Sequence, residues 1–436
     1  MEAKKGKRVD IVSLGCSKNL VDSERLMKML SDCGADVRFE PDKTRSSDTV
    51  VINTCGFIGD AKEESINTIL EYASLKNKGK ISKLYVMGCL SERYRKELPA
   101  EIPEVDAWFG KTDWSGIVGK IVAASPATAS YDRLITTPRH HAYLKIAEGC
   151  NRFCAFCAIP LITGRYRSRP IEDLVAEVSN LTSRGVKEFN IIAQDLSAYG
   201  TDLPGGKSRL SELVSTLSDI KGVEWLRLHY AYPAGFPHDV LKVMAERDNV
   251  CKYLDIALQH INDKVLSNMR RHIDRSQTLE LLDEIRSTVP DIHLRTTLMT
   301  GFPGEGEAEF DELMEFVRTQ RFERMGAFAY CAEEDTYAFK NFEDSVPEAI
   351  KQQRLGRLMS LQEEISQEIQ DAKVGQTFRV MIDRREGDRW VGRTQYDSPE
   401  VDPEVLVADA PGIARGEFCD VKITSALPFE LIGEKS

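Results

Sequence analysis

The chain has no apolar run approaching the ~18–20 residues that a helix needs to cross a bilayer. Its start, Met1–Arg8, is basic but leads into a short strand-like run and lacks the apolar stretch of a signal peptide. Basic excess is missing as well: 69 acidic residues stand against 58 basic ones, a net charge of −11. That disfavours a protein gripping nucleic acid along a long track, although a local basic patch stays possible. The balance tilts toward a protein or small-molecule substrate. These absences predict a cytoplasmic protein with no membrane part. What remains is globular in composition, 42% hydrophobic and 29% charged. At 436 residues it calls for about two to four domains.

Cysteine is not scarce. Ten cysteines in a cytosolic chain argue for metal or redox chemistry and against a disulfide framework. The densest group is Glu148-Gly149-Cys150-Asn151-Arg152-Phe153-Cys154-Ala155-Phe156-Cys157, three thiols separated by three and then two residues. A closed zinc site wants four ligands, usually in two pairs, and neither a fourth cysteine nor a histidine lies close by. Three thiolates on a four-iron cluster leave one iron open to a substrate or cofactor. An iron–sulfur cluster is the favoured reading; zinc, or thiols that merely lie near one another, are the alternatives.

Residues 1–125 repeat one layout three times. The strand-like runs Val9–Leu14, Thr49–Thr54 and Lys83–Met87 end in Gly15-Cys16, Cys55-Gly56 and Gly88-Cys89. Helical patterns follow at Leu20–Leu30, Ala61–Leu75 and Ser91–Leu98, and a short helix is expected at Ile117–Ala123. Such alternation predicts a parallel α/β sheet whose strand C-termini share one edge, where ligands bind. Cys16, Cys55 and Cys89 should then meet on one rim, with helix N-termini lowering their thiol pKa values. A second cluster site is the sharper reading, and three ordinary loop cysteines the plainer one. Cys33 reads as packing, and Ala124–Pro138 as linker.

Residues 139–370 continue with six longer strand–helix units, an incomplete version of the eight-unit barrel, in which function sits at strand C-termini. The strands are expected at Tyr143–Ala147, Glu188–Ala193, Trp225–Leu228, Tyr253–Ala257, Ile292–Leu298 and Arg324–Phe328. Polar groups at their ends are Gln194, Asp195, His229, Tyr230, Gln259, His260 and the run Thr300–Glu305. Each alone reads as loop polarity or a helix cap. As a set they should line a cofactor and substrate cavity. Cys251 and Cys331 read as structural. A helix from Pro347 carries apolar residues at three- and four-residue steps and should pack on the barrel.

Residues 373–436 show short alternating strands, Thr377–Ile382, Arg389–Thr394 and Phe418–Ile423, which predict a small all-β barrel. Arg379, Arg384, Arg385, Arg389 and Arg393 are answered by Asp397, Glu400, Asp402, Glu404 and Asp409, so no basic stripe survives. Trp390 and Tyr396 read as core or as stacking platforms.

Cys150-x₃-Cys154-x₂-Cys157 at the first strand end of a partial β/α barrel resembles the radical S-adenosylmethionine enzymes, with Phe156 at the aromatic position before the third cysteine. The three-cysteine N-terminal domain and the small C-terminal barrel, which is TRAM-like, extend the resemblance over nearly the whole chain to the methylthiotransferases. Ser13-Leu14-Gly15-Cys16, Lys18–Glu24, Asn53–Ile58, Tyr143–Cys150 and Asp397–Asp402 are similar to the branch that modifies a ribosomal-protein aspartate. Ser17 departs from that branch, which usually has proline there; it adjoins a ligand and is not one.

The resemblance implies replacement of the β-carbon C–H of an aspartate by C–S–CH₃ in the twelfth protein of the small ribosomal subunit. It implies a 4Fe–4S cluster on Cys150, Cys154 and Cys157 that binds S-adenosylmethionine and generates a radical, because an unactivated C–H bond offers nothing to acid–base chemistry. A second 4Fe–4S cluster on Cys16, Cys55 and Cys89 supplies or presents sulfur. Phe156, Gln194, Asp195, Gln259, Arg295 and Gly301 are the expected cofactor contacts. Neither electron donor nor sulfur source is named by the sequence. The rival readings are the tRNA adenosine branch, which predicts a basic last domain, and a non-enzymatic two-cluster carrier, whose clusters would ordinarily have four cysteines each.

Overall fold

The computed structural model describes residues 7–42, 47–124 and 131–436. The first six residues, read above as a basic start, therefore lie outside the described residues. Contacts divide the chain into two units. The first holds Met1–Thr137, Tyr143–Asn151 and Ala158–Asn180; the second holds Pro138–Ala142, Arg152–Cys157 and Leu181–Ser436.

In the first unit, strands β1 (Arg8–Ser13), β2 (Asp36–Phe39), β3 (Thr49–Thr54), β4 (Lys83–Gly88) and β5 (Ala107–Trp108) form a parallel sheet in the order β2-β1-β3-β4-β5. The run Thr-Val-Val-Ile-Asn-Thr of β3 is buried at all six positions, as a central parallel strand must be when helices cover both faces. One face packs Val9, Ile11 and Val51 against Leu26 and Leu30 of the helix Ser17–Asp32 and Ile117 and Ile121 of the helix Trp114–Val122. The other packs Val50, Ile52 and Val86 against Ile69 and Tyr72 of the helix Gly59–Asn77. The sheet agrees with the sequence expectation, but β2 and β5 were not foreseen, being short edge strands without a sustained apolar run.

Two further expectations are corrected here. The helix expected over Ser91–Leu98 is two pieces, Cys89–Arg93 and Leu98–Glu101, the second opening with proline in its first turn, where that residue starts helices. Of the stretch Ala124–Pro138, residues 125–130 lie outside the described residues, and the rest is not a loose linker. Arg133 is buried and ion-paired to Glu24 and to Glu177 (2.8 Å), while the Thr136 amide donates to Glu24 (2.7 Å). A buried guanidinium with two carboxylates fixes that segment. A two-stranded antiparallel ribbon, β7 (Ala147–Glu148) with β8 (Arg167–Ser168), completes this unit.

The second unit is built on a sheet in which β9 (Glu188–Ile192), β10 (Trp225–Ala231), β11 (Val250–Gln259), β12 (His293–Thr300) and β13 (Arg324–Ala329) are ordered β13-β12-β11-β10-β9, while β6 (His141–Lys145) is divided between the two units. Neighbours from β9 to β13 pair in parallel, which agrees with the expected partial barrel. Strands β14 (Thr377–Glu386), β15 (Arg389–Arg393), β16 (Glu404–Ala408), β17 (Phe418–Leu427) and β18 (Glu430–Lys435) close into a barrel around Val380, Ile382, Val405, Val421 and Leu431. Sequence reading found three of these five; β16 and β18 are short and lie next to acidic or polar segments. The helix Glu348–Asp371 buries Leu358 and Ile365, and its Gln362 side chain donates to Phe322 O (2.9 Å).

Within this unit the small barrel is anchored on the sheet by charge. Arg393 bonds both oxygens of Asp383 (2.7 and 2.9 Å) and reaches Glu188 (2.7 Å), which also receives Arg227 (3.1 Å). His140, just before β6, meets Asp383 at 2.7 Å.

Candidate active site

None of the ten cysteines is in a disulfide. In the first unit Cys16 precedes the helix Ser17–Asp32 beyond β1, Cys55 directly follows β3, and Cys89 begins the helix after β4. Three adjacent parallel strands thus deliver one cysteine each at their C-terminal ends. Cys89 feels the charge of both Cys16 and Cys55, so the three thiols form one electrostatic group. Gly15 has φ +90°, and a side chain there would press to 2.9 Å of Cys55 Sγ. The glycine is required both by the turn and by the crowding at the rim. Cys89 Sγ lies 3.5 Å from Asn19 Oδ1, and Asn19 Nδ2 donates to Leu14 O (3.0 Å) and Thr54 O (3.1 Å), binding the ends of β1 and β3 together.

The expectation of lowered thiol pKa values is overturned at Cys55 and Cys89. Burial pushes the Cys55 thiol up, and pushes Cys89 up to about 12 despite the opposing charge of Lys111. Desolvation outweighs helix N-termini here. Two buried thiols that resist ionisation in the bare protein, beside the exposed Cys16, suit a metal cluster, whose positive charge would replace their protons. The donor set is sulfur alone, which selects zinc or iron–sulfur chemistry.

A buried charge network adjoins this rim. Lys111 donates to Glu148 (2.6 Å), Lys145 donates to the other Glu148 oxygen (2.8 Å), and Lys145 also binds Asp22. Burial disfavours the ionised Glu148 and the ionised Lys111, but their opposite charges win, holding Glu148 well below the usual carboxylate range and Lys111 above the ordinary lysine value. Glu148 is two residues before Cys150. Sequence reading did not assign Lys111 or Asp22, whose partners are far away in the chain.

Gly149 has φ +87°, and a Cβ there would strike the Arg165 carbonyl, so only glycine fits before Cys150. The Cys150 amide donates to Gly164 O (3.3 Å). In the second unit the same loop makes a tight turn, with Phe153 at φ +51° and the Cys157 amide on Cys154 O (3.0 Å). Cys154 is buried and accepts from Arg271 Nη1 at 3.3 Å. The Ala155 amide donates to Met269 O (2.9 Å).

The remaining expected contacts fall at or near the strand ends of the second unit. Phe156 packs edge-on to Phe302 (6.3 Å) in the loop after β12. Gln194 and Asp195 follow β9, and Asp195 accepts from Arg152 (2.6 Å) through one oxygen. Its other oxygen, and Gln259 Oε1 at the end of β11, are buried without a partner among the described residues, as polar groups waiting on a ligand would be. Gln259 adopts φ +73°. The Gly301 amide donates to Glu305 (2.9 Å), which also meets His260 (3.2 Å) and Arg354 (2.8 Å). Arg295 lies elsewhere. It is the third residue of β12, near Asp402 (3.9 Å) of the small barrel's acidic loop, with Tyr253, Asp255 and Tyr230 around it. His229 contacts Asn190 and Ser398 (3.3 Å each).

Arg271 and Tyr232 were missed by sequence reading. The only signal was the basic run Arg270-Arg271-His272 after Met269, which carries no spacing rule. Of the cysteines read as packing or structural, Cys33 packs on the first unit's core and Cys251 is buried beside Trp225 and Tyr253, whereas Cys331 is exposed and is no core residue.

Residues 8–110 match the uncharacterized protein family UPF0004, residues 144–317 the radical SAM superfamily, and residues 374–435 the TRAM domain. A ribosomal protein uS12 methylthiotransferase RimO of Porphyromonas gingivalis is 58% identical over 426 residues, 97% of this chain and 98% of its own. The same-named protein of Bacteroides fragilis is 56% identical over 431 residues, 99% of each chain. That of Christiangramia forsetii is 50% identical over 431 residues, 99% of this chain and 94% of its own. Among solved structures, the radical S-adenosylmethionine methyltransferase TsrM of Kitasatospora setae shares the fold at TM-score 0.55 and 13% identity, over 74% of this chain and 73% of its own. The cobalamin-dependent S-adenosylmethionine radical enzyme OxsB does so at TM-score 0.52 and 13% identity, over 83% of this chain and 56% of its own. No described helix is long and apolar enough to cross a membrane. With such identity sustained along its whole length, the chain belongs to the ribosomal protein uS12 methylthiotransferase (RimO) family of the radical SAM superfamily.

Proposed function

We propose that this chain is a cytoplasmic enzyme that converts the β-carbon C–H of one aspartate of ribosomal protein uS12 to C–S–CH₃. The observation that carries the reading is the delivery of Cys16, Cys55 and Cys89 by three neighbouring strands to one rim, in a chain that holds a second three-cysteine set at Cys150, Cys154 and Cys157. A carrier that merely stores or passes electrons has no use for two clusters that each lack a fourth protein ligand.

In this reading Cys16, Cys55 and Cys89 would hold one 4Fe–4S cluster, and Cys150, Cys154 and Cys157 would hold another that binds S-adenosylmethionine. Together these groups supply one-electron chemistry, sulfur and methyl for attack on a bond with no acidic proton. The protein's own work is placement. Gly149 lets the chain turn into Cys150, Arg271 and Met269 hold the Cys154–Ala155 segment, and the Gly301–Glu305 loop is pinned by His260 and Arg354. Gln194, Asp195, Gln259, Gly301 and Phe156 are the candidate contacts to S-adenosylmethionine. Arg295, the other expected contact, is already surrounded by acidic and phenolic groups of its own chain.

Mass spectrometry of uS12 from cells with and without this gene tests the reading. A methylthio mass gain on one aspartate, seen only with the gene, is the expected result. Unmodified uS12 in both, with methylthioadenosine in tRNA depending on the gene, would move the chain to the tRNA branch.

A further inference from the structure

After the helix Asp263–Asn268 the backbone does something uncommon. Arg270 (φ +56°) and His272 (φ +55°) both take the left-handed conformation that side chains other than glycine rarely adopt. The residue between them, Arg271, is turned inward and is only 3% exposed. Its guanidinium donates to Cys154 Sγ (3.3 Å) and to Ala257 O, and lies 4.1 Å above the Tyr232 ring. Backbone held in a sparsely populated region is a mark of functional placement.

Tyr232 also approaches the sulfur, at 3.6 Å, but it has a single hydroxyl proton, and its oxygen is a shorter 2.7 Å from Arg271 O. With that proton donated to the carbonyl, Arg271 is left, among the described residues, as the group that offers a hydrogen to Cys154. The two arginines flanking Tyr232 differ in charge balance. Arg152, 4.2 Å from the ring, is neutralised by Asp195 at 2.6 Å. Among the described residues Arg271 has no carboxylate within ion-pair distance, and its guanidinium donates to Cys154 Sγ and Ala257 O.

We propose that Arg271 is a positioning residue that tunes the iron–sulfur cluster held through Cys154, raising its reduction potential by an N–H···S hydrogen bond and an uncompensated buried positive charge. This rests on the proposed cluster at Cys150, Cys154 and Cys157. Reduction adds one electron to a desolvated site, so a cation and a hydrogen bond on a ligand sulfur stabilise the reduced state more than the oxidised one. Arg271 thereby eases the electron's entry to a cluster that must be reduced before S-adenosylmethionine is cleaved.

The test uses the full chain with Cys16, Cys55 and Cys89 changed to alanine, so that one cluster is observed. Iron content after anaerobic reconstitution is measured separately from the midpoint potential, which is read by paramagnetic resonance during redox titration. Arg271→Met is expected to shift the reduction equilibrium about tenfold toward the oxidised form, ~59 mV for one electron. Arg271→Lys, which keeps the charge and loses the fork, should fall between, and Tyr232→Phe should leave the potential in place. An unchanged potential in fully loaded Arg271→Met would overturn the inference, as would a Tyr232→Phe shift of equal size. If Arg271→Met does not load, Arg271→Lys carries the comparison. Failure of both to load while Tyr232→Phe loads would also overturn it, by showing that Arg271 builds the site without tuning it. Absence of any cluster from the protein with Arg271 and Tyr232 intact would instead count against the proposed function.

Discussion

Arg393, on the second strand of the small barrel, places its guanidinium 2.7 Å from Glu188, the first residue of β9, and both side chains are wholly buried. Glu188 accepts from Arg227 as well, and Arg393 also holds Asp383, so two carboxylates and two guanidiniums cancel within one dry junction. Replacing one member leaves an uncompensated buried charge. Glu188→Gln should cost about 3–5 kcal/mol. Urea denaturation followed by the fluorescence of Trp225 and Trp390 measures it, and a loss below about 1 kcal/mol would mean that the junction relaxes around the change.

The same junction predicts acid sensitivity. Burial together with the charge of Arg393 lowers His141 from its ordinary value to about 4, so the native protein binds fewer protons than the unfolded chain between pH 6.5 and 4. Burial would raise Glu188, but Arg393 and Arg227 outweigh it and hold the carboxyl at about 2, against 4.5 when unfolded. In both cases the unfolded state binds more protons, so stability rises with pH. Stability should fall on acidification first through the His141 window and then from pH 4.5 toward 2. In a His141→Gln variant the first decline should be smaller; an identical profile would remove His141 as its cause.

The two cysteine sets should separate chemically. Cys150→Ala is expected to abolish 5′-deoxyadenosine formation in anaerobic assays with S-adenosylmethionine and reductant. Cys55→Ala should retain it and lose only methylthiolation. Loss of 5′-deoxyadenosine in both folded variants would refute the division of labour.

Gly149→Ala should act through geometry alone. A left-handed φ costs a residue with a Cβ about 1–2 kcal/mol, and here the added carbon also meets the Arg165 carbonyl. Iron bound after reconstitution should fall by about the share of one cluster. Full loading would show that the loop can adjust.

The small barrel should bind tRNA weakly. Four of its arginines are spent internally, and of the cluster Arg389 alone has no ion pair among the described residues: Arg384 lies on Glu404 (2.5 Å), Arg385 on Asp409 (2.8 Å), Arg393 on Glu188 and Asp383, and Arg379 on Glu224 (2.8 Å). Trp390 donates to Asp409 (2.8 Å) and Tyr396 stacks on His293 (4.1 Å), so neither is a bare platform. Filter binding across 50 to 200 mM salt should show a shallow slope; a loss of about 10³-fold or more would indicate six or more phosphate contacts and the tRNA reading.

Much of the site was legible in the chain because its chemistry is written locally. Cys150, Cys154 and Cys157 fall within one loop, and Cys16, Cys55 and Cys89 each follow a strand whose apolar run is plain. The alternation of strands and helices predicted parallel sheets, though not their strand order, since burial on both faces demands continuous apolar runs. Short edge strands such as Asp36–Phe39 carried too little pattern to be seen.

Composition and spacing by themselves pointed to the fold class, six candidate thiols and the absence of a membrane-crossing run, because each depends on residue type and near neighbours. The tertiary structure decided the electrical state of Cys55 and Cys89 and the partners of the charges. Arg271 reaches Cys154 from 117 positions away and Tyr232 from 78, and Arg393 meets Glu188 across 205. Whether a thiol lies beside a helix end or deep under its neighbours sets its pKa, and at Cys89 burial won. Desolvation and Coulomb energy depend on distance through space, which local spacing does not encode.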